Sequence, residues 1–174
     1  MKLAILGILL TACGVVLFAY AHFFAYEKDN DNALVQEAMS ASIKASLPVR
    51  ITATTANIDT PVSIGGFENG KWILSNRNAL FLPTSKMLGE GGNTILYAHK
   101  RKGLFGALKN LSIGDVVVLM DLNGKKYKFM VYNKEDIKPA KMDKIETNKS
   151  NTLTLFTCDG WFDENRLVVK ASLI

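Results

Sequence analysis

Cysteine and histidine are scarce in this chain of 174 residues, which holds two of each. That scarcity excludes two classes of protein. A small exported domain stapled by disulfides needs cysteines in pairs. A zinc site needs three or four His, Cys or carboxylate ligands at a recognisable spacing. Neither supply exists, so no metal and no cofactor is expected. Also missing are a glycine-rich phosphate cradle that opens a helix and a GxSxG elbow. "GEGGN", residues 89–93, precedes a strand and reads as a turn. Charge of one sign is nowhere concentrated: the net charge is +5, with lysines scattered along the whole chain. No segment reads as a nucleic-acid arm, and no nucleic-acid partner is expected. There are no internal repeats, no low-complexity tracts and, after residue 47, no long amphipathic helix.

The first positive feature is "LAILGILLTACGVVLFAYAHFFAY", residues 3–26, an apolar stretch interrupted by Thr11, His22 and small residues. At roughly 1.5 Å per residue it is long enough to cross a bilayer core of about 30 Å as a helix. Lys2 precedes it and the net acidic "EKDNDN" follows it, an asymmetry that predicts a cytoplasmic N-terminus and an extracellular domain. "LTAC" at residues 10–13 looks like a lipoprotein-processing box, but the apolar run continues well past it, which favours an uncleaved anchor. Residues 27–47 read as a spacer with one weak helical pattern. The globular domain is expected over residues 48–174.

Within that domain the texture is strand and turn. "NTILYAH" and "TLTLFT" are compact β-rich runs, and "VVVLMDLNGKKYKFMVYN" reads as two strands joined at Asn123 and Gly124, the dipeptide suited to a type I′ hairpin. The second of these alternates Tyr127, Phe129 and Val131 with Lys126 and Lys128, giving one buried and one wet face. "RLVVKASL" supplies the last strand. Short helical pieces are expected at residues 105–110 and after Glu135. The fold class is mostly β with closed or barrel-like packing.

Cysteine arithmetic then isolates a candidate site. Cys13 lies in the expected anchor, so Cys158 has no intramolecular partner, and a solitary thiol in an exported domain flags reactivity. Cys158 and His99, the one histidine past the anchor, each end an apolar strand. If those strands are parallel neighbours, thiol and imidazole emerge at one rim, where the imidazole raises the thiolate fraction and later supplies a proton. Arg166 follows eight residues after Cys158. If "DGWFDEN" reverses the chain, its guanidinium returns beside the thiol to steady an oxyanion. Each residue alone has an ordinary explanation, as core filler or solvated charge. Their joint placement is what points to nucleophilic catalysis.

These residues resemble the sortases, membrane-anchored cysteine transpeptidases of Gram-positive-type cell envelopes. "TLFTC", residues 154–158, matches that family's TLxTC pattern at each fixed position. "NTILYAHK" resembles its histidine strand and "NRLVVKA" its arginine strand. The resemblance runs from about Pro48 to the C-terminus and implies a closed eight-stranded β-barrel. It also implies Cys158 as nucleophile, His99 as acid/base and Arg166 as oxyanion support, with Thr157 and Trp161 beside the substrate. The implied reaction cleaves an LPxTG-like sorting signal through a thioester and transfers the protein to an amine of a peptidoglycan precursor or a pilin lysine. No lid of the pilin-polymerising type is visible, which leans towards a housekeeping-like or D/E-type member. Two other readings stand beside it: a membrane-tethered cysteine peptidase that hydrolyses the acyl-enzyme, and a non-catalytic binding module.

Overall fold

The computed structural model describes residues 14–20, 40, 46–68, 71–140, 145, 151–159 and 165–174. The chain divides into two compact units, Met1–Ser42 and Ile43–Ile174. In the first, residues 14–20 are helical. Among the described residues no helix is long and apolar enough to cross a membrane. The remainder of the expected anchor and most of the expected spacer lie outside the described residues.

The second unit is a closed barrel of eight strands in the order β1-β2-β5-β6-β9-β10-β8-β7, with a separate two-stranded hairpin, β3-β4. The strands are β1 (Pro48–Ala53), β2 (Ile58–Ile64), β3 (Phe67–Glu68), β4 (Lys71–Trp72), β5 (Ala79–Phe81), β6 (Asn93–Tyr97), β7 (Val116–Asp121), β8 (Lys126–Ile137), β9 (Thr152–Asp159) and β10 (Asn165–Leu173). Two seams, β2–β5 and β6–β9, are parallel, and the others in the barrel are antiparallel.

Strand alternation divides the apolar residues into two layers. Ile51, Leu96, Leu119, Val131, Leu155 and Val169 belong to the barrel interior. A 3-10 helix, Phe105–Asn110, adds the fully buried Phe105 and Leu108 to that core. Lys134 holds the end of this helix by donating from Nζ to the carbonyls of Lys109 and Leu111, at 2.9 and 2.8 Å. A second cluster contains Leu80, Ile95, Tyr97, Ile137, Ile145, Phe156 and Val168, with Trp72 and Leu82 packed against it. It lies on the opposite side of β6 and β9, so both faces of these two strands are buried. This explains why "NTILYA" and "TLTLFT" carry no charged residue.

One local expectation needs correction. The Asn123–Gly124 hairpin is not a type I′ turn: Gly124 has φ of 82°, but Asn123 is not in the left-handed region. Asp121 decides the geometry. Its carbonyl accepts the Gly124 N–H at 3.0 Å, and its Oδ1 accepts the N–H groups of Asn123 and Lys125 at 3.0 and 2.9 Å. That is a turn closed by a glycine bulge, for which one left-handed residue suffices. The helical piece expected after Glu135 follows the end of β8: that strand continues to Ile137, opposite Arg166, and residues 139, 140 and 145 are in 3-10 conformation.

Candidate active site

The site is built on the β6–β9 seam. Its parallel register runs from Asn93 opposite Thr152 to Tyr97 opposite Phe156. Beyond the end of β6 the stitching continues for one residue: Ala98 donates its N–H to the Phe156 carbonyl at 3.4 Å. The Thr157 hydroxyl in turn donates to the Ala98 carbonyl at 2.7 Å. The paired register ends at Tyr97 and Phe156, so His99 and Cys158 each stand two residues beyond it. On the other side of β9, Cys158 is the direct antiparallel partner of Arg166 in β10. Cys158 and Arg166 therefore share one rung, and His99 follows two residues after the last paired residue of β6, at the same end of the seam.

Each is held differently. His99 is half-buried, and its carbonyl accepts the N–H groups of Arg101 and Phe105 at 2.9 and 3.2 Å. The Arg101 carbonyl then accepts Leu104 and Gly106 at 3.1 and 3.0 Å, winding the loop tightly over the buried Leu104 and Phe105. A Cβ at Gly106 would fall 2.7 Å from the Arg101 carbonyl carbon, so only glycine lets the loop close this far. The Arg101 guanidinium donates to Asn76 Oδ1 at 2.7 Å, linking the histidine loop to the segment before β5. Arg166 is also half-buried, and its Nη1 donates to the Asn165 carbonyl at 2.9 Å.

Thr157 is 2% exposed. Its hydroxyl is turned onto the backbone of the residue before His99, which makes it a tie between the histidine strand and the cysteine strand. Trp161 lies outside the described residues.

Sequence reasoning did not single out the apolar layer beside the rung. Tyr97 and Phe156, two residues before His99 and Cys158, stack with ring centroids 5.4 Å apart and planes at 16°. Trp72 meets both rings edge-on, at 4.9 and 5.6 Å. Further along the seam, Asn93 donates from Nδ2 to the Ile145 carbonyl at 3.1 Å and accepts the Thr154 hydroxyl at 2.8 Å. This buried amide pins Ile145, from the connection between β8 and β9, onto the same layer. Position-by-two spacing from His99 and Cys158 was the available signal for Tyr97 and Phe156. Nothing local announces Trp72.

Cys158 paired with Arg166, and His99 at the end of the neighbouring strand, are the residue types that acyl transfer needs: nucleophile, proton carrier and anion support.

The chain matches the family model described as Sortase domain over residues 49–174. Sortase A of Bacillus anthracis is 29% identical over 149 residues, covering 83% of this chain and 68% of that protein. Among solved structures, Sortase C1 of GBS Pilus Island 1 is similar at a TM-score of 0.59 and 22% identity, over 72% of this chain and 64% of that one. Streptococcus pneumoniae Sortase C gives a TM-score of 0.63 and 22% identity, over 74% of this chain and 69% of that one. The chain thus spans less than two thirds of the first of these structures, and at such identities the likeness concerns the fold.

Proposed function

The chain belongs to the sortase family, whose members are cysteine transpeptidases, and on that premise we propose that it cleaves an LPxTG-like sorting signal and transfers the upstream protein to an amine. The Cys158 thiolate attacks the threonine carbonyl of the signal. As the C–N bond to the next residue breaks, His99 gives a proton to the departing amine, leaving a thioester. An amine of a peptidoglycan precursor or a pilin lysine then attacks the thioester, His99 takes its proton, and the thiolate leaves. Arg166 supports the oxyanion in both halves. Residues 3–26 act as a single-pass anchor in the cell membrane, with the N-terminus cytoplasmic and the catalytic domain outside.

The observation that supports this reading is the pairing of Cys158 with Arg166, at the end of a parallel seam whose last paired residues, Tyr97 and Phe156, each lie two before His99 and Cys158. Mass spectrometry of the full chain incubated with LPxTG-like peptides and an amine acceptor tests it. The expected result is an acyl adduct on Cys158 that resolves into an amine-linked product. An adduct that only hydrolyses turns the reading into a peptidase. A chain that forms no adduct and leaves Cys158 unreactive to a thiol probe is a binding module.

A further inference from the structure

The hydroxyl of Tyr97 gathers both ends of one short segment. It accepts the Gly66 N–H at 2.9 Å, and its own hydrogen serves the carbonyl of Ile73 at 2.9 Å or that of Gly66 at 3.1 Å. A hydroxyl has one hydrogen, so it donates to one of these carbonyls at a time. Ile73 N–H also donates to the Gly66 carbonyl at 2.9 Å. Between those ends lies the β3–β4 hairpin, with Phe67 opposite Trp72 and Glu68 opposite Lys71. A hairpin with strands this short has little stability of its own. Its attachment is a matter of fit: a Cβ at Gly65 would collide with the Tyr97 hydroxyl and come within 2.9 Å of the Leu80 Cβ.

The hairpin does not close into a sealed core. Trp72 is half-buried against Tyr97 and Phe156, while Ile64, Ile73 and Leu74 at its base are 62%, 38% and 50% exposed. An exposed apolar patch of this kind, continuous with aromatic rings two residues from His99 and Cys158, suits contact with a ligand better than contact with water. An extended peptide acylating Cys158 carries its upstream residues away from the attacked carbonyl, and Trp72, the half-buried cover of the buried Tyr97 and Phe156 rings, is the apolar surface they would meet.

We propose that the β3–β4 hairpin is a wall of the peptide groove, latched by the Tyr97 hydroxyl, and that Trp72 determines which apolar side chain is accepted upstream of the attacked bond. This rests on the transpeptidase reading. With Trp72 in place the ring layer takes an aliphatic side chain and refuses a bulky aromatic one. Tyr97 is a positioning residue that keeps the wall at the width where this discrimination operates.

The test uses the full chain. Tyr97→Phe keeps the stacked ring and removes the latch, so amide exchange over residues 66–73 rises roughly tenfold, the worth of about one hydrogen bond. KM for an aliphatic peptide rises while kcat and the rate of Cys158 alkylation hold. Trp72→Ala shifts relative kcat/KM towards a peptide with an aromatic at the upstream position by roughly tenfold or more. Trp72→Leu, a milder change, shifts it less and covers the case in which the alanine variant does not fold. Unchanged exchange in Tyr97→Phe overturns the latch, and parallel changes for both peptides in the Trp72 variants overturn the selectivity role. A wild-type chain that joins no peptide to any amine overturns the transpeptidase reading and the selectivity role with it. The exchange result then still decides the latch.

Discussion

Strands β8 and β9 both alternate cleanly on their inner side, yet their outer sides differ. In β8, Tyr127, Phe129 and Val131 are buried, and Lys126, Lys128 and Met130 between them face solvent. In β9, residues 152–157 are all buried. Leu153 and Leu155 enter the barrel, and Phe156 enters the outer layer. Over residues 126–131 β8 is a wall of the barrel with one wet face, and its far end, Ile137, joins the outer layer. β9 is a wall on one side and the floor of a second buried layer on the other, with Thr152, Thr154 and Phe156 in its outer row. An antiparallel strand can leave one face wet, but a strand in a parallel seam under other elements has both faces covered.

The largest way to separate the two strands is chemical. Cys158→Ala abolishes acyl transfer, and His99→Ala lowers kcat/KM by about 10²–10⁴-fold, the range for a positioned acid/base. No substitution on the wet face of β8 does either. A peptide-transfer assay with purified variants checks this, and activity surviving in Cys158→Ala would remove the basis of the contrast. Next in size is stability. Leu155→Ala, in the inner row of β9, costs about 2–5 kcal/mol, whereas Lys128→Ala on β8 stays within about 0.5 kcal/mol. Urea unfolding of both variants gives the comparison.

How much of this was legible in the sequence follows the same division. The strands, the closed β class and the return of Arg166 beside Cys158 followed from apolar runs that end on rare residue types, because those are local signals. The parallel seam itself remained conditional, since no periodicity states which strand lies beside which. The hairpin at Asn123 and Gly124 was placed correctly but given the wrong turn, because the carboxylate of Asp121 outside the dipeptide satisfies the turn's N–H groups. The β3–β4 hairpin was not foreseen at all. Two-residue strands carry no period, and what holds them is the hydroxyl of Tyr97, distant in sequence.

Thr157 allows a finer cut through the contrast. The resemblance assigned it to substrate binding, while its hydroxyl is donated to the Ala98 carbonyl inside the barrel. Thr157→Val leaves that buried acceptor unpaired and costs about 1–3 kcal/mol, and Thr157→Ser restores it. If the tie is what Thr157 supplies, stability and kcat fall together in the valine variant and return together in the serine variant. A rise in KM with stability intact would instead place the hydroxyl against substrate.

The smallest effect belongs to the wet side of the barrel. Arg50 in β1 and Asp59 in β2 form a bidentate pair, with Nε to Oδ1 at 2.8 Å and Nη2 to Oδ2 at 2.9 Å, both side chains exposed. The hydrogen bond from Arg50 holds the Asp59 carboxyl below its ordinary range, helped by the opposite charge and opposed by desolvation. A carboxyl whose folded pKa is depressed stabilises the fold above its unfolded pKa and loses that contribution as pH falls through the folded one. Asp59→Asn therefore lowers Tm slightly at pH 7, and the gap to wild type narrows as the solution is acidified. Exposure leaves the pair open to screening, so added salt closes the same gap at neutral pH. A gap that survives both acid and salt would mean the pair acts through the β1–β2 register rather than through charge, and the wet side of the barrel would then carry structural information comparable to that of the buried seam.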